Sequence, residues 1–243
     1  HYGRDLTEST DCWDLLAAVD RTLAPRWAGR ARLRLGSLEP ADLHAKALDT
    51  LAGCRLMSPH LHLSLQSGSP DVLRRMGRGH YGPDMVFGFL EGLAKIWPVF
   101  GLGADIIAGF PGETDEHFRQ TLDVAERLPL SYAHVFPYSE RPGTPAASFK
   151  GAVPGHVRRE RAKLLREAVG RKRGRFLQGL LARPHMSVVL EDDGTGMNEF
   201  YVECEVEGSA TGRAREMVRV VPVGTSNTGL VTRLAAPETE DGA

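Results

Sequence analysis

Residues 60–79, HLHLSLQSGSPDVLRRMGRG, read as a strand that stops at the polar cluster Gln66-Ser67-Gly68-Ser69, with a helix opening at Pro70. Ser64, Gln66 and Ser67 set side-chain donors and acceptors at the strand tip, where they can meet a ribose or a carboxylate. The plainer reading is a strand-to-helix cap, above all at Ser69. A second tip, GADIIAGFPGET at 103–114, carries Asp105 and Ile107 ahead of Gly109 and Gly112. Glycines there let the backbone approach a ligand closely, or they make a turn before a helix capped by Thr114. Glu113 either meets the ligand or favours the positive end of that helix. Glu39 suits a ribose hydroxyl or an amine, or it is the acid that precedes a helix at Pro40. Arg141 can grip a carboxylate or phosphate with its planar fork, or it is a solvated loop arginine. Phe136 and Tyr138 either stack on a base or fill the core. His60 and His62 alternate on one strand face, and with His80 they do not form a convincing metal set. They are read as non-ligands, and no metal site is assigned.

These tips need elements that bring them together. Strands and helices alternate up to about residue 150, which predicts a parallel sheet with right-handed crossovers. Thr10 is expected to cap a helix whose apolar face holds Leu16, Val19 and Leu23. Strands are predicted over 31–36, 60–65, 103–108 and 133–137. Leu43, Ala47 and Leu51 form one helix face, and Val86, Phe89, Leu90, Leu93 and Trp97 another. The strict alternation of residues 60–65 predicts a half-buried strand. In an α/β barrel, chemistry sits at the C-terminal strand ends. The expected class is therefore α/β: an open partial (β/α) barrel lacking its first strands over residues 1–150, followed by a small all-β barrel. A helix over 151–184 joins them, with Leu164, Leu165, Ala168 and Val169 on its apolar side and Gly170 and Gly174 as loosening points. From 185 to 236, short apolar runs separated by Gly, Asp and Asn turns predict about five strands.

The chain has 243 residues and a formal net charge of −1, so bulk charge points to no nucleic acid. Its distribution does. Over residues 158–175 nine basic side chains face only Glu160 and Glu167, and Arg171, Lys172 and Arg173 are the candidate phosphate contacts. A solvated helix face is the alternative. The β-module is acidic, with Glu191, Asp192, Asp193, Glu199, Glu203, Glu205, Glu207 and Glu216. Residues 237–243 are acidic, short and expected to fray. The three cysteines, Cys12, Cys54 and Cys204, are far apart and odd in number, as in a reduced cytoplasmic protein without a disulfide framework. No apolar run approaches the roughly 20 residues that cross a bilayer, so no membrane is expected.

RLRLGSLEP, HLHLSLQSGSPDVLRRM, DIIAGFPGET and HVFPYSERPGTPAA together resemble the radical S-adenosylmethionine methylthiotransferases, most of all the branch acting on threonylcarbamoyladenosine in tRNA. The resemblance covers about residues 1–235. The family's Cys-x3-Cys-x2-Cys motif, its preceding methylthiotransferase domain and its first barrel strands are not matched. Residues 1–6 resemble the sequence just downstream of those parts, so the chain is expected to be the C-terminal half of such an enzyme. The resemblance implies S-adenosylmethionine as cofactor, bound by Ser64, Gln66, Ser67, Asp105, Ile107, Gly109 and Phe136, with Ile107 against the adenine. Glu39, Glu113 and Arg141 would face the substrate. The 4Fe–4S clusters of the complete enzyme would have their ligands outside this chain, and the missing N-terminal part would be its partner. It further implies hydrogen abstraction from C2 of the modified adenosine, sulfur insertion and methyl transfer. The β-module takes the place of a TRAM domain, a small RNA-binding barrel, so tRNA is the expected partner. Rival readings are a relative acting on isopentenyladenosine or on a ribosomal-protein aspartate, and a non-catalytic RNA-binding protein on a decayed barrel.

Overall fold

The computed structural model describes residues 10–191, 194–208 and 212–236. The motif at 1–6, Asp192, Asp193 and the tail at 237–243 lie outside them. Helix α1 (Cys12–Trp27) is capped by Asp11, not Thr10. The Asp11 carboxylate accepts from the N–H groups of Trp13 and Asp14, and Asp14 accepts in return from the Asp11 N–H. A carboxylate there satisfies orphan donors and meets the positive helix end. Trp13, Leu16 and Ala24 are buried, whereas Leu23 is exposed. The strand expected over 31–36 is mostly irregular: Leu33 bridges Met57, and pairing starts only at β1 (Ser37–Leu38). As the sheet edge, this segment has one neighbour. It is held by the bonds Leu33 N–H to Leu56 O (2.7 Å) and Ser58 N–H to Leu33 O (2.8 Å).

Four strands form a parallel sheet in the order β1-β2-β3-β4, with β2 His60–Gln66, β3 Gly101–Ala108 and β4 Tyr132–Pro137. Sequential parallel strands require crossovers. These are supplied by a 3-10 turn at Pro40–Asp42 with α2 (Ala45–Gly53), by α3 (Pro70–Arg75) with α4 (Pro83–Ile96), and by α5 (Asp115–Arg127). Thr114 caps α5, accepting from the His117 N–H at 3.2 Å, and His117 Nδ1 accepts from the Thr114 N–H. One face of the sheet is apolar and covered by helices: Leu61, Leu63 and Leu65 of β2, Leu102, Ala104 and Ile106 of β3, and Val135 of β4. The opposite face carries His60, His62 and Gln66, Gly103, Asp105 and Ile107, and Tyr132, His134 and Phe136. His60 and His62 are nonetheless buried. The half-buried strand expected from alternation is therefore closed on both faces at its start, because rings from β4 and the β-module cover the histidines.

Helix α6 (Gly155–Leu181) runs unbroken through Gly170 and Gly174. It belongs to two cores: Ala162, Leu165 and Val169 pack on the sheet, and Leu177 and Leu180 on the β-module. Leu164, expected inward, is exposed. The module is a closed five-stranded barrel in the order β5-β6-β7-β9-β8. Its strands are β5 Met186–Leu190, β6 Thr195–Asn198, β7 Glu203–Glu207, β8 Met217–Thr225 and β9 Leu230–Leu234. Alternate residues, Met186, Val188 and Leu190 among them, fill its centre. No helix of the described residues is long and apolar enough to cross a membrane.

Candidate functional site

Because β1 to β4 are parallel, their C-terminal tips share one edge. Gln66 lies beside Ile106, and Ile107 beside Phe136. A cleft of about 510 Å³ opens there, walled by Gln66, Asp105, Ile107, Phe136, Tyr138 and Arg141, among others. Gln66 ends β2 with φ +60°, the left-handed region, at a register shift between Leu63 and Gln66. A non-glycine residue held there costs about 1–3 kcal/mol. Phe136 is 52 % exposed, so it is not core packing. Tyr138 carries a buried hydroxyl without a protein partner. An exposed ring and a strained glutamine around one hollow suit a flat, polar-edged ligand.

Other expected site residues are placed elsewhere. Ser67 is fully buried, its hydroxyl 3.0 Å from that of Thr121 on α5. The neighbouring Gly68 must lack a side chain, because a Cβ would lie 2.8 Å from the Thr121 Cα. At Gly109 and Gly112, both with positive φ, a Cβ would strike Arg158 or Arg75. Glu113 turns inward. Its Oε2 accepts from the Gly109 N–H at 2.7 Å and from Arg161 Nη1 at 2.7 Å, and its side chain is 0 % exposed. Burial pushes the Glu113 carboxyl up, with Arg161 and Gly109 opposing. Glu113 thus braces α6 against the tip of β3. Glu39 is bound through both oxygens by Arg78, and it is Arg78 that lines the adjoining hollow, with Gln66, Arg75 and Ile107. Ser64 stands between His62 and Gln66 on β2, its carbonyl accepting from the Tyr81 hydroxyl. Arg75 and Arg78 are wall residues that the sequence reading did not assign. The basic run LRRMGRG after the Gln66 tip was the available signal for the two arginines.

Further down the open face lies a hydrogen-bonded series. Tyr132 Oη is 3.0 Å from His60 Nε2 and 2.9 Å from His62 Nδ1, and His62 Nε2 is 3.1 Å from Asp105 Oδ1. Gly103 lies between His62 and Tyr132 in register, and a Cβ there would come within 2.3 Å of the Tyr132 ring. Its missing side chain is what lets the two meet across β3. Tyr201 of the β-module closes the base, tilted against both His60 and Tyr132 at centroid distances of 4.8 and 5.6 Å. Burial, then the nearby Arg34 and His62, lower the His60 pKa to about 3, so His60 is neutral at pH 7. Burial also raises the Tyr132 phenol.

The basic side chains of α6 are less free than their spacing suggests. Arg171 pairs with Glu126 at 3.4 Å, Lys172 donates to the Glu126 carbonyl at 2.6 Å, and Arg173 donates to the Thr228 carbonyl. Part of this basic run therefore fastens α6 to α5 and to the β-module. The thiols lie apart in kind as well as in sequence: Cys12 and Cys54 are half-buried, and Cys204 is buried inside the barrel. Burial raises all three, Cys204 to about 12.

A model of the Radical SAM superfamily matches residues 8–125. A threonylcarbamoyladenosine tRNA methylthiotransferase of Thermotoga maritima is 34% identical over 215 residues, 87% of this chain and 48% of that protein. The enzyme of the same name from Rickettsia prowazekii is 41% identical over 166 residues, 68% of this chain and 38% of its own length. A tRNA-2-methylthio-N(6)-dimethylallyladenosine synthase of Clostridium botulinum is 36% identical over 168 residues, 69% of this chain and 36% of that protein. The chain spans about half the length, or less, of these curated relatives.

Proposed function

The chain belongs to the radical S-adenosylmethionine methylthiotransferase family, and from that premise we propose that it is the C-terminal portion of a tRNA methylthiotransferase acting at C2 of threonylcarbamoyladenosine. In this reading the four-stranded sheet is part of the family's (β/α) barrel and the cleft at its C-terminal edge receives S-adenosylmethionine. The carrying observation is the cleft wall itself: Gln66 in the left-handed region and the exposed Phe136, with Ile107 and Arg141 beside them. Phe136 stacks on the adenine, Ile107 supplies an apolar side, and Gln66 takes the ribose or amine. Arg141 takes the carboxylate. When bound, S-adenosylmethionine supplies radical initiation and a methyl group. The residues of this chain orient it and exclude water from the edge of β2 to β4.

An iron–sulfur cluster does not fit this chain. Cluster ligands are thiolates gathered at one point, whereas Cys12 and Cys54 edge the core under the sheet and Cys204 lies inside the β-barrel. We place the ligands of any cluster outside the described residues. The β-module with α6 is the proposed tRNA contact, with Arg171, Lys172 and Arg173 nearest the phosphates. The relative named for dimethylallyladenosine keeps a second substrate in view. The test uses the full-length, cluster-reconstituted enzyme on tRNA carrying either modified adenosine, with nucleosides read by mass spectrometry. Methylthiolation of threonylcarbamoyladenosine is expected. Methylthiolation of dimethylallyladenosine alone would move the assignment to the second branch.

A further inference from the structure

Below the cleft, three neighbouring parallel strands each present one metal-ligating side chain to the same point. His62 comes from β2, Asp105 from β3 and His134 from β4, and one ligand atom of each lies within 4.8 Å of the others. Asp105 and His134 are register partners, so their side chains share a face. Ligands bound at about 2.1 Å from an ion lie about 3–4 Å apart. His62 Nε2 and Asp105 Oδ1, at 3.1 Å, already have that spacing.

We propose that His62, Asp105 and His134 form a binding site for a divalent transition-metal ion, separate from any iron–sulfur cluster. The inference does not rest on the functional reading above. Three observations carry it besides the spacing. The first is the support behind His62: Tyr132 Oη holds its Nδ1 at 2.9 Å, which turns Nε2 toward Asp105 and fixes the ring. Metal-bound histidines characteristically have their other nitrogen held in this way. That arrangement exists because β3 carries Gly103 where any side chain would separate the two rings. The second is space. The set borders a recess of about 200 Å³, with Ser37 and Arg34 on its far wall. The Arg34 guanidinium lies 3.8 Å over the Tyr201 ring. The third is donor chemistry. Two imidazoles and one carboxylate suit zinc, iron(II) or cobalt(II) and are poor for magnesium or calcium. His134 is exposed on the β4 edge of the sheet, with its ring centroid 5.4 Å from that of His62. Three protein ligands leave open positions toward the recess, where a water or a heteroatom of a bound ligand would complete the ion's shell.

The probe is cobalt(II), titrated under exclusion of oxygen into this chain as it stands, with visible absorption as the readout and zinc as competitor. One equivalent of cobalt should raise saturable d–d bands that zinc abolishes. Asp105→Asn and His134→Ala should each weaken binding at least tenfold. Tyr132→Phe, which removes only the outer partner, should weaken it by about 10- to 100-fold. His156→Ala, on exposed α6, should leave it unchanged, and circular dichroism checks that each variant is folded. Absence of a saturable band, or parental affinity in both Asp105→Asn and His134→Ala, overturns the proposal.

Discussion

The two faces of the β2–β3–β4 sheet are built on the same backbone and do opposite things. The helix side is Leu61, Leu63, Leu65, Leu102, Ala104, Ile106 and Val135, close-packed and sealed. The open side is His60, His62, Gln66, Asp105, Tyr132, His134 and Phe136, graded from a ring-packed base at Tyr201 to an exposed tip at Phe136. Strand pleating alone separates the sets, since successive side chains point to opposite faces. The lesson is a division of labour: the covered face carries stability, and the open face can afford strain, exposed rings and unsatisfied polar atoms. Substitutions should therefore sort by face.

The largest loss of stability is expected where a charge is sealed behind the covered side. Arg161→Met leaves the Glu113 carboxylate buried without its partner and should cost about 3–5 kcal/mol, read by denaturant unfolding. Leu63→Ala should cost about 2–5 kcal/mol through its cavity. Both should leave the ligand affinity of the folded fraction unaltered. A ligand defect at full stability in either variant would break the division.

His60 tests the base of the open face through pH. It is packed by Tyr132 and Tyr201, with Arg34 and His62 nearby. Its folded pKa, about 3, lies below the ordinary 6.5. The proton is then taken up on unfolding, so stability is intact above pH 6.5 and is lost as pH falls toward 3. The slope should be roughly 1.4 kcal/mol per pH unit from this group. His60→Gln should flatten that slope in unfolding curves between pH 4 and 6. An unchanged slope would mean that other groups govern the acid limb.

Phe136→Ala should lie within about 0.5 kcal/mol of the parent in stability, as surface changes usually do, while weakening S-adenosylmethionine binding. A loss of several kcal/mol would return Phe136 to the core. The last comparison is at α6, whose basic side chains also fasten it to α5 and to the β-module. Changing Arg171, Lys172 and Arg173 together to Ala should weaken tRNA binding and lower its salt slope by about 0.9 for each phosphate left without a cation. Arg213 and Arg215 changed to Ala should do less. If the triple variant keeps the parental slope, its charges serve only Glu126 and Thr228.

Much of this comparison was legible in the chain. Four tips ending in polar or Gly-rich motifs fixed the parallel order and the shared edge, because a repeated strand–helix unit admits few topologies. The five-stranded closed module also followed, although β6 (Thr195–Asn198) has no apolar run and was invisible to periodicity. What local pattern could not reveal was partnership at a distance. Ser67 reads as a ligand residue until Thr121 is beside it, and Glu113 until Arg161 is. His62 lacked a third ligand within its own strand. Asp105 and His134 join it only through the pairing of β2, β3 and β4. The strand expected at 31–36 failed for a physical reason, since an edge segment with one neighbour keeps only part of its ladder.

Gln66 gives the most direct test of the claim that the open edge is the S-adenosylmethionine site. Glycine tolerates φ +60° without strain, so Gln66→Gly should be at least as stable as the parent. A lost ligand hydrogen bond of about 1–3 kcal/mol should weaken binding by roughly five- to a hundredfold. Calorimetric titration of S-adenosylmethionine into the parent and Gln66→Gly, with unfolding curves for both, measures the two together. The account predicts retained stability with weakened binding. Parental affinity in Gln66→Gly would contradict it and leave Gln66 as a turn residue.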